Sequence, residues 1–251
     1  MTRIHVPFLT RLVMWLRLFA VQGSWNYEIL LGNGIGFCAE PALRLLPGGR
    51  GGDQYRRALA RQSRYFNAHP YLASVAVGAL TRAELEGVNP AKIERFRTAL
   101  AGPLGSVGDR LVWSGWLPLC SLVALLAYGL GGTAGAVVAL FLLTYNAGHV
   151  ALRAWGLKVG FSRGTEVAKS LGSPILRRAP EWIDRAGALL AGIAVPTAVE
   201  RAVGIGGEAS AASIGAVLVG GVVLARIPNT SVGWRLALGI LSLIVLYAVL
   251  V

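Results

Sequence analysis

The sequence predicts an all-α membrane protein, a helical bundle with broken or re-entrant helices and a hydrophobic C-terminal half. Hydrophobic residues make up 55% of the 251 residues and charged residues only 14%, which is too apolar for an ordinary soluble domain. The second half contains apolar stretches of membrane-spanning length, whereas prolines and glycines interrupt the shorter apolar pieces of the first half. These observations predict one membrane-embedded domain over residues 1–251.

Five largely apolar stretches lie after residue 110 and predict a multi-pass protein. A helix needs roughly 20 residues to cross a hydrocarbon core about 30 Å thick. The first two stretches reach this length, whereas the later three are shorter and need tilting, flanking residues or partners to cross. The stretches are 111–130, 134–152, 186–199, 212–225 and 236–251.

The positive charge of the chain predicts its orientation in the membrane. The net charge is +12, but the arginines flank apolar segments and do not form a separate basic domain, which argues against nucleic acid as a partner. Arginine-rich segments are typical of the cytoplasmic side. We therefore expect 44–64, 82–97, 153–185 and 226–235 inside, and 131–133, 200–208 and the C-terminus outside.

The first hundred residues predict a polar-rich part with re-entrant or interfacial helices, preceding a transmembrane part over 101–251. The stretch 8–21 predicts an amphipathic or interfacial helix. Segment 71–80 follows Pro70 and is too short to cross, which favours a re-entrant segment or a buried half-helix. Segment 102–109 is rich in glycine and predicts a loop that ends in Asp109. Broken backbone at membrane depth usually lines a substrate cavity.

A polar and aromatic run at 22–28 is the first candidate for a binding site. Its amide, carboxylate and aromatic side chains need partners beside membrane-grade apolar sequence. Trp25 can pack on an apolar face of a ligand while Gln22 and Asn26 bond its polar groups. Gln22 and Asn26 are four apart and share a face if the run is helical. The residues alone favour a polar helix–helix contact over a binding site.

Four further polar residues are candidates on the same grounds. Asn67 and His69 precede Pro70, which places them near a chain break, and His69 is either a ligand-facing or a hydrogen-bonded core histidine. Asp109 serves gating or substrate contact, or forms an ion pair with Arg110. Asn146 lies three residues before His149 in an apolar helix, so both face a bundle or a cavity.

Other features predict packing and the absence of catalysis. Cys38 and Cys120 are interpreted as small buried thiols, and Gly32 and Gly36 as a site of close helix packing. The chain contains no catalytic triad, paired-carboxylate site, phosphate loop or metal-ligand spacing, so we expect no cofactor, no metal and no reaction.

Four ordered blocks carry a resemblance to a known family. They are 22–28, 65–70, 102–109 with Trp113, and Tyr145-Asn146 leading to 159–164. Together they resemble the IID subunit of the mannose, fructose and sorbose class of bacterial sugar phosphotransferase permeases, over roughly residues 14–190. Their order and spacing make the match more specific than any single motif.

The resemblance implies a non-catalytic, multi-pass subunit of the bacterial inner membrane. Such a subunit pairs with a IIC partner to form the channel for a mannose-type hexose, and IIC–IID pairs assemble into a higher oligomer. Soluble IIA and IIB components carry the phosphate, so His69 is not expected to be phosphorylated. The alternative is a non-transporting scaffold or regulatory remnant. The candidate substrate-binding residues are Gln22, Trp25, Asn26, Asn67, His69, Asp109 and Asn146.

Overall fold

The structure is a computed structural model that describes residues 5–168, 172 and 174–204. Eight α-helices are present in these residues, and the only β-contacts among them are two isolated bridges. The predicted all-α class is therefore confirmed. The helices are α1 Phe8–Arg17, α2 Gly32–Leu43, α3 Asp53–Gln62, α4 Ala73–Leu85, α5 Pro90–Gly108, α6 Leu117–Gly129, α7 Ala134–Arg163 and α8 Pro174–Val203.

The described residues form two compact units, each made of two separate stretches of the sequence. The first contains the chain up to Trp113 and resumes with Asn146–Ala179. The second contains Ser114–Tyr145 and resumes at Pro180. Every residue of the candidate site discussed below belongs to the first unit.

Three helical segments among the described residues are long and apolar enough to cross a membrane: Pro90–Gly129, Ala134–Glu166 and Arg178–Ala202. They contain the predicted stretches 111–130 (all but its last residue), 134–152 and 186–199. Leu142 and Leu143 in the second segment are exposed, as expected of side chains that contact lipid. The stretches 212–225 and 236–251, and the basic segment 226–235, lie outside the described residues. The sidedness of the protein stays a prediction.

The uncharged turn at 131–133 connects α6 to α7, as its glycines predict. Gly131 adopts a φ of 96°, a left-handed conformation that glycine accepts without steric cost. Arg201 stabilises the turn because its guanidinium donates to the carbonyls of Tyr128 and Gly132 and stacks over the Tyr128 ring at 4.5 Å. The second unit therefore contains a helical hairpin whose tip is held by a cation.

Helix α4 is the centre of the first unit. Every one of its residues except Arg82 is buried, and its apolar side chains join one core cluster with α2 and α5. Arg82 instead reaches the end of α7, where its guanidinium donates to the Phe161 and Ser162 carbonyls at 3.0 and 2.7 Å. Of the two alternatives for segment 71–80, the structure agrees with a buried helix.

Glycines allow α4 and α7 to approach backbone to backbone. A β-carbon at Gly160 would overlap the Val75 carbonyl oxygen and lie 2.8 Å from the Ala79 nitrogen. A β-carbon at Gly78, on the facing helix, would lie 2.6 Å from the Leu157 carbonyl oxygen. Small residues at such crossings let helices pack closely in membranes. This contact fixes α7 against the core of the first unit.

Two packing predictions of the sequence are confirmed. Gly32 and Gly36 of α2 lie against Ser63 and Arg64, and a β-carbon at either glycine would overlap atoms of that segment. Cys38 and Cys120 are both buried free thiols. Burial raises the pKa of Cys38 to about 12, so its thiol stays protonated and unreactive at neutral pH.

One predicted loop is wrong. Residues 102–108 continue α5, and the chain then enters a π-helical stretch at Asp109–Trp116 before α6 begins. Pro103 is exposed and removes only one helical hydrogen bond, so the helix continues past it. Gly108 marks the close approach of another segment and does not mark a turn, because a β-carbon there would overlap His69.

Candidate functional site

Backbone hydrogen bonds join the first two sequence blocks. The Leu31 N–H donates to the Phe66 carbonyl at 3.0 Å, and the Phe66 N–H donates to the Ile29 carbonyl at 3.1 Å. Phe66 is itself almost fully buried, so this pairing is anchored in the core. The run 22–28 is therefore held beside the run 65–70 although about 40 residues separate them.

Arg97 of α5 holds the start of the second block, residues 65–70, in place. Its guanidinium donates to the Tyr65 and Arg64 carbonyls at 2.6 Å each and to the Gln62 carbonyl at 3.1 Å. It also stacks over the Phe66 ring at 4.9 Å. Charged donors make strong hydrogen bonds to backbone carbonyls. Sequence reasoning missed this anchor, because an arginine on an amphipathic helix looks like a solvated residue.

The run 22–28 is not helical, so the expectation that Gln22 and Asn26 share a helical face is wrong. The chain forms consecutive turns here. Asn26 Oδ1 accepts the N–H groups of Glu28 and Ile29 at 3.0 Å each, and Leu30 adopts a left-handed φ of 50°. An asparagine that accepts backbone donors in this way stabilises a turn in place of a helix.

The first three blocks converge on a pocket of about 450 Å³. Five predicted site residues line it, and Trp113 of the π-helical stretch adds a second indole. Within segment 102–113 the residues that line the pocket recur every three or four positions, which is the spacing of one helical face. That spacing is a signal from which Trp113 could have been predicted. The lining residues are Gln22, Trp25, Leu31, Asn67, Ala68, His69, Pro70, Ala101, Gly102, Gly105, Ser106, Asp109 and Trp113.

His69 lines this pocket and has a buried ring nitrogen without a hydrogen-bond partner among the described residues. The side chain is 1% exposed, and its Nδ1 accepts the Tyr71 N–H at 3.2 Å. The proton therefore sits on Nε2, and Nε2 has no hydrogen-bond partner among the described residues. Burial, together with the nearby charge of Arg153, lowers the pKa of His69 to about 4. A buried donor without a partner is costly, which favours a ligand that supplies an acceptor.

Two indole rings give the pocket apolar surface. Trp25 is 46% and Trp113 43% exposed, so part of each ring is available to a ligand. Tyr27 packs edge-on against Trp25 with the ring centroids 4.8 Å apart, and His69 lies 5.1 Å from Trp113. Aromatic faces beside amide, carboxylate and imidazole groups are suited to a polyhydroxylated ligand with apolar C–H patches.

Two predicted site residues do not line the pocket. Asn26 serves the turn described above. Asn146 lies on α7, where its Oδ1 is 2.6 Å from His149 Nε2. The ring of His149 lies 5.0 Å from the Tyr71 ring, which in turn packs edge-on against His69 at 5.0 Å. Asn146 is thus connected to the pocket only through intervening side chains.

The profile of the family described as "PTS system mannose/fructose/sorbose family IID component" matches residues 9–229. The chain belongs to this family. The resemblance inferred from the four blocks is therefore confirmed, and the protein is a membrane protein of the IID type. The family match covers the whole pocket of the first unit.

Named relatives of this IID component include proteins from three bacteria. It is 28% identical over 188 residues to the mannose-specific EIID component of Escherichia coli strain K12, covering 72% of this chain and 65% of that protein. It is 31% identical to the fructose permease IID component of Bacillus subtilis strain 168, covering 72% and 66%. It is 33% identical to the sorbose-specific EIID component of Klebsiella pneumoniae, covering 72% and 67%. The chain thus spans about two thirds of their lengths.

Solved structures share the fold of this IID component. A structure described only as that of a membrane protein matches with a TM-score of 0.66 at 25% identity, covering 75% of this chain and 70% of the other. A cryo-EM structure of the mannose transporter ManYZ in complex with microcin E492 matches with a TM-score of 0.59 at 25% identity, covering 75% and 69%. Both matches agree with an all-α membrane fold.

We expect Gly108→Ala in the IID component to abolish ligand binding in the pocket. The added β-carbon would overlap the His69 Cβ and lie 3.0 Å from its Nδ1, so His69 must move and lose its bond to the Tyr71 N–H. Gly135→Ala is the control, because a β-carbon there meets no atom within 4 Å and Gly135 does not line the pocket. Equilibrium binding of labelled mannose, fructose and sorbose, the sugars named for the relatives, measures both variants. Equal affinities would contradict the role assigned to Gly108.

Proposed function

We propose that this chain is the IID subunit of a bacterial sugar permease and forms, with a IIC subunit, the channel for a mannose-type hexose. Membership of the IID family supports this proposal, as do the mannose, fructose and sorbose specificities named for its relatives. Phosphorylation of the sugar belongs to soluble IIA and IIB components. The chain itself is a non-catalytic, multi-pass subunit of the inner membrane, and IIC–IID pairs form a higher oligomer.

The pocket of the first unit is the observation that carries this proposal. A hexose presents hydroxyl oxygens that accept the His69 Nε2–H, hydroxyl protons that donate to Asp109, and a C–H face that packs on Trp25 or Trp113. Asn67 supplies an amide that can both donate and accept. A volume of about 450 Å³ is within the range of small-molecule pockets, roughly 300–1,000 Å³.

The first experiment compares sugar uptake with and without this chain. Cells that express the IIC, IIA and IIB partners are assayed with radiolabelled mannose, fructose, sorbose and amino sugars. We expect uptake only when this chain is present, because the channel needs both membrane subunits. Unchanged uptake in its absence would instead favour the scaffold or regulatory alternative.

The second experiment measures binding to the copurified IIC–IID pair. We expect Asn67→Ala and Trp25→Ala to weaken binding about tenfold each, since each removes a contact of roughly 1.4 kcal/mol. Asn33→Ala and Trp182→Ala are matched controls, because both residues are exposed and neither lines the pocket. Asn26→Ala should loosen the turn at 26–30 and reduce assembly more than binding. Equal effects of site and control variants would contradict the site.

A further inference from the structure

A buried cation lies behind the pocket wall. Arg153 of α7 is 4% exposed, and its Nε donates to the Leu18 carbonyl at 3.1 Å. Its NH1 is 2.8 Å from His149 Nδ1. These contacts hold the guanidinium in one position inside the first unit. The sequence places Arg153 at the start of the arginine-rich segment 153–185 and gives no sign of this role.

Tyr71 separates this cation from His69. The Arg153 guanidinium lies 4.3 Å from the centroid of the Tyr71 ring, which is a cation–π distance. The same ring packs edge-on against His69 at 5.0 Å. The three side chains therefore pack one against the next, from the buried cation through Tyr71 to the pocket wall, and this series is called the stack below.

The backbone of Tyr71 also determines which nitrogen of His69 carries the proton. The Tyr71 N–H donates to His69 Nδ1 at 3.2 Å. A proton on Nδ1 would place two donor hydrogens against each other and break this bond. A second charge beside Arg153 in a buried position would be repelled as well. Asp109 lines the same pocket and is the group that favours a charged imidazole. His149 and Tyr71 are the other titratable groups packed around the stack, from α7 and from the loop of His69.

We propose that Arg153 is a positioning residue that acts through Tyr71 to keep His69 neutral. A neutral ring leaves Nδ1 free to accept the Tyr71 N–H, and this bond holds the ring with its proton on Nε2 as the donor for a ligand oxygen. The inference deepens the proposed function and rests on the sugar pocket described above. It assigns to an arginine outside the pocket control over the charge of a pocket residue. It also predicts that the ligand group at His69 is an acceptor.

The test is nitrogen NMR of the full chain labelled with ¹⁵N-histidine in lipid nanodiscs. The chain contains three histidines, and His69→Gln identifies the His69 signals. We expect the Nε2–H form at pH 7 and a neutral ring down to about pH 5, because burial and Arg153 lower the pKa of His69 to about 4. A proton on Nδ1, or titration at the ordinary histidine value of about 6.5, would overturn the proposal.

Variants at position 153 distinguish the effect of the Arg153 charge on the His69 pKa from the effect of its packing. Arg153→Gln removes the charge and should raise the His69 midpoint by about one pH unit, the smaller end of the effect of a nearby charge. Arg153→Lys keeps the charge and should leave the midpoint low. Arg153→Met is a second neutral replacement and is judged by the same midpoint if the glutamine variant does not fold. A folded neutral variant with an unmoved midpoint would overturn the role of Arg153.

Sugar binding distinguishes this inference from the proposed function. Binding of labelled mannose to the wild-type pair should be nearly equal at pH 5.0 and 7.5. The Arg153→Gln pair should bind about twofold less well at pH 5.0, because roughly half of His69 is charged at its new midpoint of about 5. A proton on Nδ1 breaks the bond to the Tyr71 N–H that orients the ring. A shifted His69 midpoint in a protein that binds no sugar at either pH would support the positioning role and count against the sugar pocket.

Discussion

Replacing Gly160 with alanine should force α4 and α7 apart and lower the free energy of unfolding of the first unit by about 3 kcal/mol. The new β-carbon would overlap the Val75 carbonyl oxygen and lie 2.9 Å from the Gly78 Cα. These are backbone atoms of a fully buried helix, so no side-chain rotation can relieve the clash. Gly160→Leu should prevent folding of the first unit.

The control for this prediction is Gly135→Ala on the same helix. A β-carbon at Gly135 meets no atom within 4 Å, and alanine is a better helix former than glycine. The control protein should therefore be as stable as the wild type or slightly more stable. Thermal unfolding of both variants in nanodiscs measures the difference, and equal melting temperatures would show that α4 and α7 do not touch at Gly160.

Replacing Glu40 with glutamine should destabilise the first unit by about 2 kcal/mol at pH 7, because it breaks an ionic cluster in which partly exposed arginines surround a buried carboxylate. The carboxylate of Glu40 is 12% exposed and pairs with Arg44 at 2.7 Å, Arg17 at 2.9 Å and Arg50 at 3.3 Å. Tyr55 donates to it at 3.0 Å. Removing the negative charge leaves these cations facing one another around a neutral amide.

The pH dependence of this effect follows from the same contacts. Hydrogen bonds from Arg44 lower the pKa of Glu40 from 4.5 to about 2, and bonds from Tyr55 and Arg17 assist. A lowered pKa means that the stabilisation is complete above about pH 4.5 and is lost as the pH falls through about 2. The difference between wild type and Glu40→Gln should therefore be constant from pH 5 to 7 and shrink towards pH 2.

An exposed ion pair provides the matched control for Glu40. Glu94 pairs with Arg64 at 2.7 Å, but their side chains are 44% and 66% exposed. Such surface pairs contribute about 0–1 kcal/mol, so Glu94→Gln should change unfolding little. A Glu94 effect as large as that of Glu40 would contradict the view that burial gives the Glu40 cluster its importance.

The pocket shows where local patterns predict function and where they fail. Gln22, Trp25, Asn67, His69 and Asp109 were predicted because polar and aromatic groups in apolar surroundings need partners, and all five line one pocket. Asn26 was predicted for the same reason, as a polar residue in apolar surroundings, yet its side chain accepts two backbone N–H groups of its own turn. Asparagine can satisfy either role, and only the path of the chain decides between them.

The helix through 102–108 shows a second limit of local signals. Glycine and proline together predict a loop, but here Gly108 makes room for His69 and Pro103 interrupts the helix without ending it. Glycine marks both turns and close contacts, and the neighbour that makes the contact is about 40 residues distant in sequence. A sequence pattern cannot identify that neighbour.

The sequence by itself determined the apolar spans and the membership of the IID family, because hydropathy over 20 residues and the order of short blocks are properties of the chain alone. The tertiary structure decided the pocket, the anchoring by Arg97 and the stack from Arg153 to His69. Each of these depends on side chains that meet across 30 or more residues. Contacts of that kind arise from packing, and no local periodicity encodes them.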